Sequence, residues 1–318
     1  MTYRSSLSKH TPTLILMATY VVLIAYLSLS AEHFATPSNV LTILQTVAVI
    51  GIIAAAQTIV IISGGLDLSV GSVVALTVVT VSLLEGKGIP IFWASCASLA
   101  IAALVGTING NGVTRLRINA FITTLATLSI ASGVAFVLSS GRTNLISSAN
   151  FRILGIGRLA GIPIPVIILA VVFAATHVLL TSTRYGRAIY AVGGNAEACR
   201  LSGVDIGVVH RRAFLLSSLA AGIAGLILAA QLGAAAPQSA RGYELQVIAA
   251  VILGGTSLTG GAGSAVGTLL GVLMLGTLRN GLDLMHVDFY WQEVVMGMAL
   301  GLAVSADRLR QFKRRKGE

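Results

Sequence analysis

Charge is scarcest in this sequence: only 10% of its 318 residues are Asp, Glu, Lys or Arg, against about a quarter in soluble domains. So little polar surface cannot coat a water-soluble globule of this length. With 55% hydrophobic residues and a mean hydropathy of +0.90, lipid is the solvent for most of the chain. Cysteine is nearly absent too. Cys96 falls in an apolar stretch and Cys199 in a charged loop, with no CxxC pair and no metal-ligand spacing to the five histidines, which leaves a disulfide or a metal site without support.

Two further absences bear on function. No G-x-x-x-x-G-K-[ST] phosphate loop occurs, so the chain cannot bind ATP by that mechanism. Ionisable groups are also nearly missing from the middle of the apolar spans, where a proton- or ion-coupled transporter must carry its charge. The exceptions are Asp67 at a helix break, His177 late in the sixth span, read as a packed or boundary residue, and Glu293, read as reaching the interface. They lie in different spans with no motif joining them, so no catalytic pair, cofactor site or energy source of the chain's own is expected.

What is abundant is apolar sequence and glycine. Spans are predicted at 13–30, 40–62, 70–84, 90–108, 120–139, 163–181, 213–232, 245–256, 263–279 and 289–305, since about 20 apolar residues cross a bilayer and fewer suffice where a helix is broken. This predicts an all-α membrane protein of about ten transmembrane helices. Residues 1–12 form a cytoplasmic N-terminus, 13–305 one polytopic transmembrane domain, 183–212 a long cytoplasmic loop within it, and 306–318 a basic tail. The first apolar stretch is expected to stay as an uncleaved helix, because many spans follow it. Ten crossings put 15 of the 21 Lys and Arg residues on the cytoplasmic side with both termini, as the positive-inside rule requires. The basic residues therefore report topology in a bacterial inner membrane, and nucleic acid is not an expected partner. The 35 glycines suit close helix packing, as in the GxxxG steps of Gly263, Gly267 and Gly271 and of Gly297 and Gly301.

The third and eighth spans are short, and glycine clusters adjoin both. Gly64-Gly65-Leu66-Asp67-Leu68-Ser69-Val70-Gly71 aligns with Gly254-Gly255-Thr256-Ser257-Leu258-Thr259-Gly260-Gly261, an internal echo read either as a pseudo-symmetric repeat with broken helices or as coincidence between glycine-rich turns. Irregular backbone at membrane depth survives only when buried in protein or lining a cavity, and broken helices in transporters lie near the substrate route. Asp67 has two readings: a cap for the helix that follows, or a group lining a solute path.

The loop 183–212 differs from the others. Its core, Tyr190 to Val204, reads as a short helix with Asn195 as N-cap and Gly203 as stop, carrying Ala198, Leu201 and Val204 on a semi-apolar face. So short a helix does not persist alone in water, and a partner-protein groove is favoured over the chain's own membrane domain as its dock.

These motifs, in this order, resemble the membrane permease of ribose-type sugar importers in the ATP-binding-cassette superfamily, which also serves galactose, arabinose and xylose. The likeness runs over about residues 38–305. It rests on Gly64 to Ser72, Asn109-Gly110, Phe121 to Thr127, Gly186-Arg187, Gly193-Gly194-Asn195, Arg200 to Gly203, Leu253 to Leu258 and Asn280-Gly281-Leu282. The family's usual proline before the Phe-Ile-x-Thr-Leu run is replaced by Asn119-Ala120, which leaves the start of the fifth helix less defined. The resemblance implies a second permease copy, a separate ABC-type ATPase, a periplasmic solute-binding protein and surrounding lipid as partners. It further implies coupling to the ATPase through Gly193, Gly194, Asn195, Ala198, Arg200, Leu201, Ser202, Gly203 and Val204. A translocation path is expected past Gly64, Gly65, Asp67, Ser69, Asn109, Phe121, Thr124, Gly254, Gly255 and Thr256. Related permeases carry nucleosides or a furanosyl signal, so the solute is open between sugars and sugar-like molecules.

Overall fold

A computed structural model describes residues 4–288, 290–298 and 301. The predicted basic tail and the end of the tenth span lie outside the described residues. In chain order the helices are α1 (Arg4–Ser30), α2 (Pro37–Ile62), α3 (Val70–Gly86), α4 (Ile91–Thr114), α5 (Ala120–Ser139), α6 (Ala149–Ile156), α7 (Ile164–Ser182), α8 (Arg184–Gly194), α9 (Ala196–Leu201), α10 (Ile206–Leu232), α11 (Tyr243–Leu253) and α12 (Ala265–Leu284). Helical backbone resumes over 290–298. The only strands among the described residues are two-residue pieces: β1 (Asn144–Leu145), β2 (Arg158–Leu159), β3 (Ile162–Pro163) and β4 (Ala234–Ala235). They pair antiparallel as β1 with β4 and β2 with β3.

Each of the first nine predicted spans falls on a helix, as does the described part of the tenth, but the helices are not equally able to cross a bilayer. Six are long and apolar enough: α2, α4, α5, α7, α10 and α12. Residues 14–30, α3 and α11 are shorter apolar helices. Among the described residues, six helices are thus full-length candidates by length and composition and three are shorter, while the tenth predicted span lies partly outside those residues.

Local chemistry sets the helix ends. The hydroxyl of Thr36 accepts from the Asn39 amide ahead of Pro37, at the start of α2, and the carboxylate of Asp205 accepts from the Val208 amide to open α10. Helix α10 closes on Gly233 in the left-handed region. Helices α2 and α10 form the centre, with 83% and 78% of their most apolar windows buried, against 22–28% for α4, α5 and α7. Gly106 faces the backbone of Phe214 and Leu215, and Gly110 faces Arg211, so α4 and α10 approach to backbone contact.

Connections form two groups. Glu85 accepts from the amides of Ser147 and Ser148, β1 pairs with β4, and Asn39 and Asn280 exchange amide bonds. On the other side, the loops near residues 63, 114, 190, 210 and 261 meet one another. Each tie joins connections that strict alternation of the spans puts on one face.

Candidate translocation path and coupling site

Both predicted helix breaks exist, and they begin alike. Helix α2 ends on Ser63, Gly64 takes φ +86°, and the Gly65 amide bonds back to Val60 O. Helix α11 ends on Gly254, Gly255 takes φ +87°, and the Thr256 amide bonds back to Val251 O. This is the same glycine-terminated cap twice. It corrects the register of the sequence alignment by one residue, because Gly64 corresponds to Gly255 and not to Gly254.

After the first cap the chain turns back alongside α2. The Gln57 amide donates to Asp67 O at 3.2 Å, so Asp67 lies roughly 7 Å inside the end of α2, at 1.5 Å rise per residue. The side chain of Asp67 is fully buried. Its Oδ1 accepts from the Ser69 amide at 2.9 Å and the Ser69 hydroxyl at 2.6 Å, while Oδ2 has no partner. The Ser69 hydroxyl accepts from Asn109 at 2.9 Å, and the Asn109 carbonyl accepts from Thr127 at 2.6 Å. Thr124 donates to Leu66 O, and Ser217 donates to the Gln57 carbonyl. One polar network thus ties α2, the break, α3, α4, α5 and α10 together. Asp67 orders the turn at Ser69, which holds the N-cap position of α3; the carboxylate does not cap that helix's first-turn amides.

Of the predicted path residues, Asp67, Ser69, Asn109 and Thr124 join this network. Gly65 packs under it against Val60 and Phe214, and Gly64 sits at its exposed rim. Gly254, Gly255 and Thr256 form a second group at the other break, where Gly254 abuts the Gly267 backbone and Thr256, fully buried, keeps an unpartnered hydroxyl. No hydrogen bond joins the two groups. Phe121, 49% exposed at the start of α5, is brought to neither. Its helix begins cleanly without the missing proline, because the Asn119 side chain accepts from the Phe121 amide.

Sequence reasoning missed Gln57, Thr127 and Ser217, whose polar side chains in apolar spans were the available signal. It also missed Glu244, which stands just before the predicted span 245–256 and lies in the first turn of α11 with its carboxylate against Gly71. His177 and Glu293 are exposed, and Cys96 and Cys199 are free thiols. Among the described residues no cluster of His, Cys, Asp or Glu could hold a metal. On the side of Arg241, a cavity of about 420 Å³ opens between α2, α11, α12 and the 290–298 helix, with Arg241, Tyr243, Gln246, Arg279 and Glu293 among its walls.

The predicted single short helix of the long loop is two helices. Thr183 caps α8, whose Gly186, Ile189 and Val192 are buried. Asn195 then breaks the run and caps α9, accepting from the Ala198 amide at 2.9 Å, and Gly203 ends it with φ +78°. Gly194 to Ala198 and Arg200 to Gly203 are exposed, Gly193 and Val204 half-buried, and Leu201 is 82% exposed. Arg200 pairs with Glu197 at 2.6 Å. Burial raises the Tyr190 hydroxyl's pKa, which keeps it a proton donor to Gly263 O at 2.8 Å.

The family described as the permease component of branched-chain amino acid transport systems matches residues 39–304. The chain belongs to this permease family. The permease is 43% identical to the ribose import permease RbsC of Escherichia coli K12, over 92% of each chain. It is 40% identical to RbsC of Bacillus subtilis, over 90% of each. It is 37% identical to the L-arabinose ABC transporter permease AraH of Azospirillum brasilense, over 93% of this chain and 87% of that one. No solved structure matches the permease at a significant level. It is a multi-pass membrane protein and a transport subunit in kind.

Proposed function

We propose that the permease is the membrane-spanning subunit of an ATP-binding-cassette importer for a sugar or sugar-like solute, delivered by a periplasmic binding protein and driven by a separate ATPase. Ribose and arabinose, named for its relatives, are both pentoses, so a pentose is the first solute to test. In this reading two copies enclose the path. The acid, amide and hydroxyls around Asp67, Ser69, Asn109 and Thr124 offer the hydrogen-bonding chemistry a sugar needs, with Gly64 and Gly65 beside them, Gly254, Gly255 and Thr256 at the second break, and Phe121 at the exposed start of α5. All ten spans cross, and both termini face the cytoplasm, following the distribution of basic residues.

The observation that carries the reading is α9: a capped six-residue helix that buries Cys199 against the protein and leaves Leu201 82% exposed. An apolar tip of that kind fits a groove on a partner, and the chain has no phosphate loop to supply its own energy. With the ATPase and binding protein present, Ala198→Arg and Gly203→Trp are expected to leave membrane insertion intact and abolish both transport and solute-stimulated ATP hydrolysis. Normal transport by Ala198→Arg, with no crosslink from a cysteine at Ser202 to the ATPase, would remove this loop as the coupling site. For topology, a cysteine at Ser147 should react with an impermeant thiol reagent in intact cells while one at Arg115 stays unlabelled; the reverse pattern overturns the orientation.

A further inference from the structure

Resting on that reading, we propose that the coupling segment drives both helix breaks together, through a junction of glycines clamped by Tyr190 and His210. The C-terminal end of α8 lies where the two breaks meet. The Gly261 amide donates to Ile62 O at 2.8 Å, which bonds the second break to the end of α2. Gly193 is seated on that bond: a methyl group on it would collide with Ile62 O and lie 2.6 Å from the Gly261 nitrogen. A methyl on Gly260 would lie 2.9 Å from Gly193 O and 3.1 Å from Gly64 Cα, and one on Gly261 would lie 2.8 Å from Gly194 Cα. Three backbones therefore touch with no side chain between them. Such a contact leaves no soft material to absorb displacement.

Two side chains lock the junction from either flank. Tyr190, on α8, donates to Gly263 O beyond the second break. His210 Nε2 lies 3.0 Å from Ser63 O at the first break, and because a carbonyl only accepts, that nitrogen carries the proton. His210 follows α9 on the first turns of α10, so the segment that would receive the ATPase's motion is tied on one side to each break. Tyr190 and His210 are positioning residues, touching neither solute nor ATPase.

The test uses the complete transporter in vesicles, with Tyr190→Phe, His210→Ala and the double variant. Solute moved per ATP hydrolysed is read beside crosslinking of a cysteine at Ser202 to the ATPase. Each single change is expected to lower the ratio about fivefold, the worth of one hydrogen bond near 1 kcal/mol. The double variant should lower it further, His210→Gln, whose amide still donates, should restore it, and crosslinking should persist throughout. An unchanged ratio in the double variant, with crosslinking intact, overturns the junction while leaving the coupling reading standing. Loss of crosslinking only in the variants also overturns it, because the ties would then serve docking. No Ser202 crosslink in the otherwise unaltered protein overturns the coupling reading itself. Gly261→Ala strains a residue at φ +72°; Tyr190→Phe keeps the ring and its packing, so the test does not depend on a glycine variant folding.

Discussion

The two helix breaks start with one geometry and then diverge. Between α2 and α3, residues 63–69 fold back into the protein and are pinned by Gln57, Asn109 and Thr124, with Asp67 at the centre. Between α11 and α12, residues 254–264 take a longer course rich in glycine, leave the Thr256 hydroxyl unpartnered, and meet Gly193 and Gly194 through bare backbone. The same cap thus serves two purposes. Where side-chain hydrogen bonds are dense, the break holds its shape and can move only as one rigid polar element. Where they are sparse and glycine is frequent, it can change shape without side-chain collisions.

The largest effect expected from this contrast is at Asp67. Asp67→Leu strands the Ser69 amide and hydroxyl together and should destabilise the permease by about 2–4 kcal/mol, read as a lower unfolding midpoint in mild detergent. Asp67→Asn keeps an acceptor at Oδ1 and should cost about 1 kcal/mol. If that variant folds but transports poorly, the charge itself serves the path; if it transports normally, Asp67 is there for the turn. A middle-sized effect tests the shared cap. Gly64 and Gly255 have nearly equal φ, and a methyl at either meets no close backbone. Gly64→Ala and Gly255→Ala should each lose about 1–2 kcal/mol from left-handed strain. Costs differing by more than about twofold would break the equivalence of the caps. The smallest effects separate the two hydroxyls. Thr124→Val should lose about 1 kcal/mol by abandoning Leu66 O, while Thr256→Val should be neutral or slightly stabilising, since an orphaned buried hydroxyl is removed.

Much of this was legible in the residues. Apolar length placed a helix on each of the first nine predicted spans, and the Gly-Gly pairs marked both breaks. Asn195 and Gly203 marked α9, because capping is local chemistry. Other features were hidden because they depend on distant partners. Helix α6 was passed over as part of a charged outer loop; it is held by Gln45 donating to Gly155 O and by Gly155 lying against Gln231. Helix α8 was merged with α9 because its buried face emerges only against α2, α7 and α10. The register of the repeat slipped by one residue because identical letters, Gly-Gly, were aligned, whereas the backbone aligns the residue that turns left-handed. Glu244 stands one residue before the predicted span 245–256, and nothing in the sequence shows that residues 240–244 fold in against Gly71. Phe121 entered the expected path by resemblance, and its position at the exposed start of α5 does not bring it to the network.

The central claim, a path without its own engine, is tested most directly by solute uptake into vesicles holding the purified permease, with and without the ATPase and binding protein. The account predicts no ATP hydrolysis and no accumulation by the permease alone under an imposed pH or sodium gradient, and uptake on addition of both partners with ATP. Gradient-driven accumulation by the lone permease would contradict it.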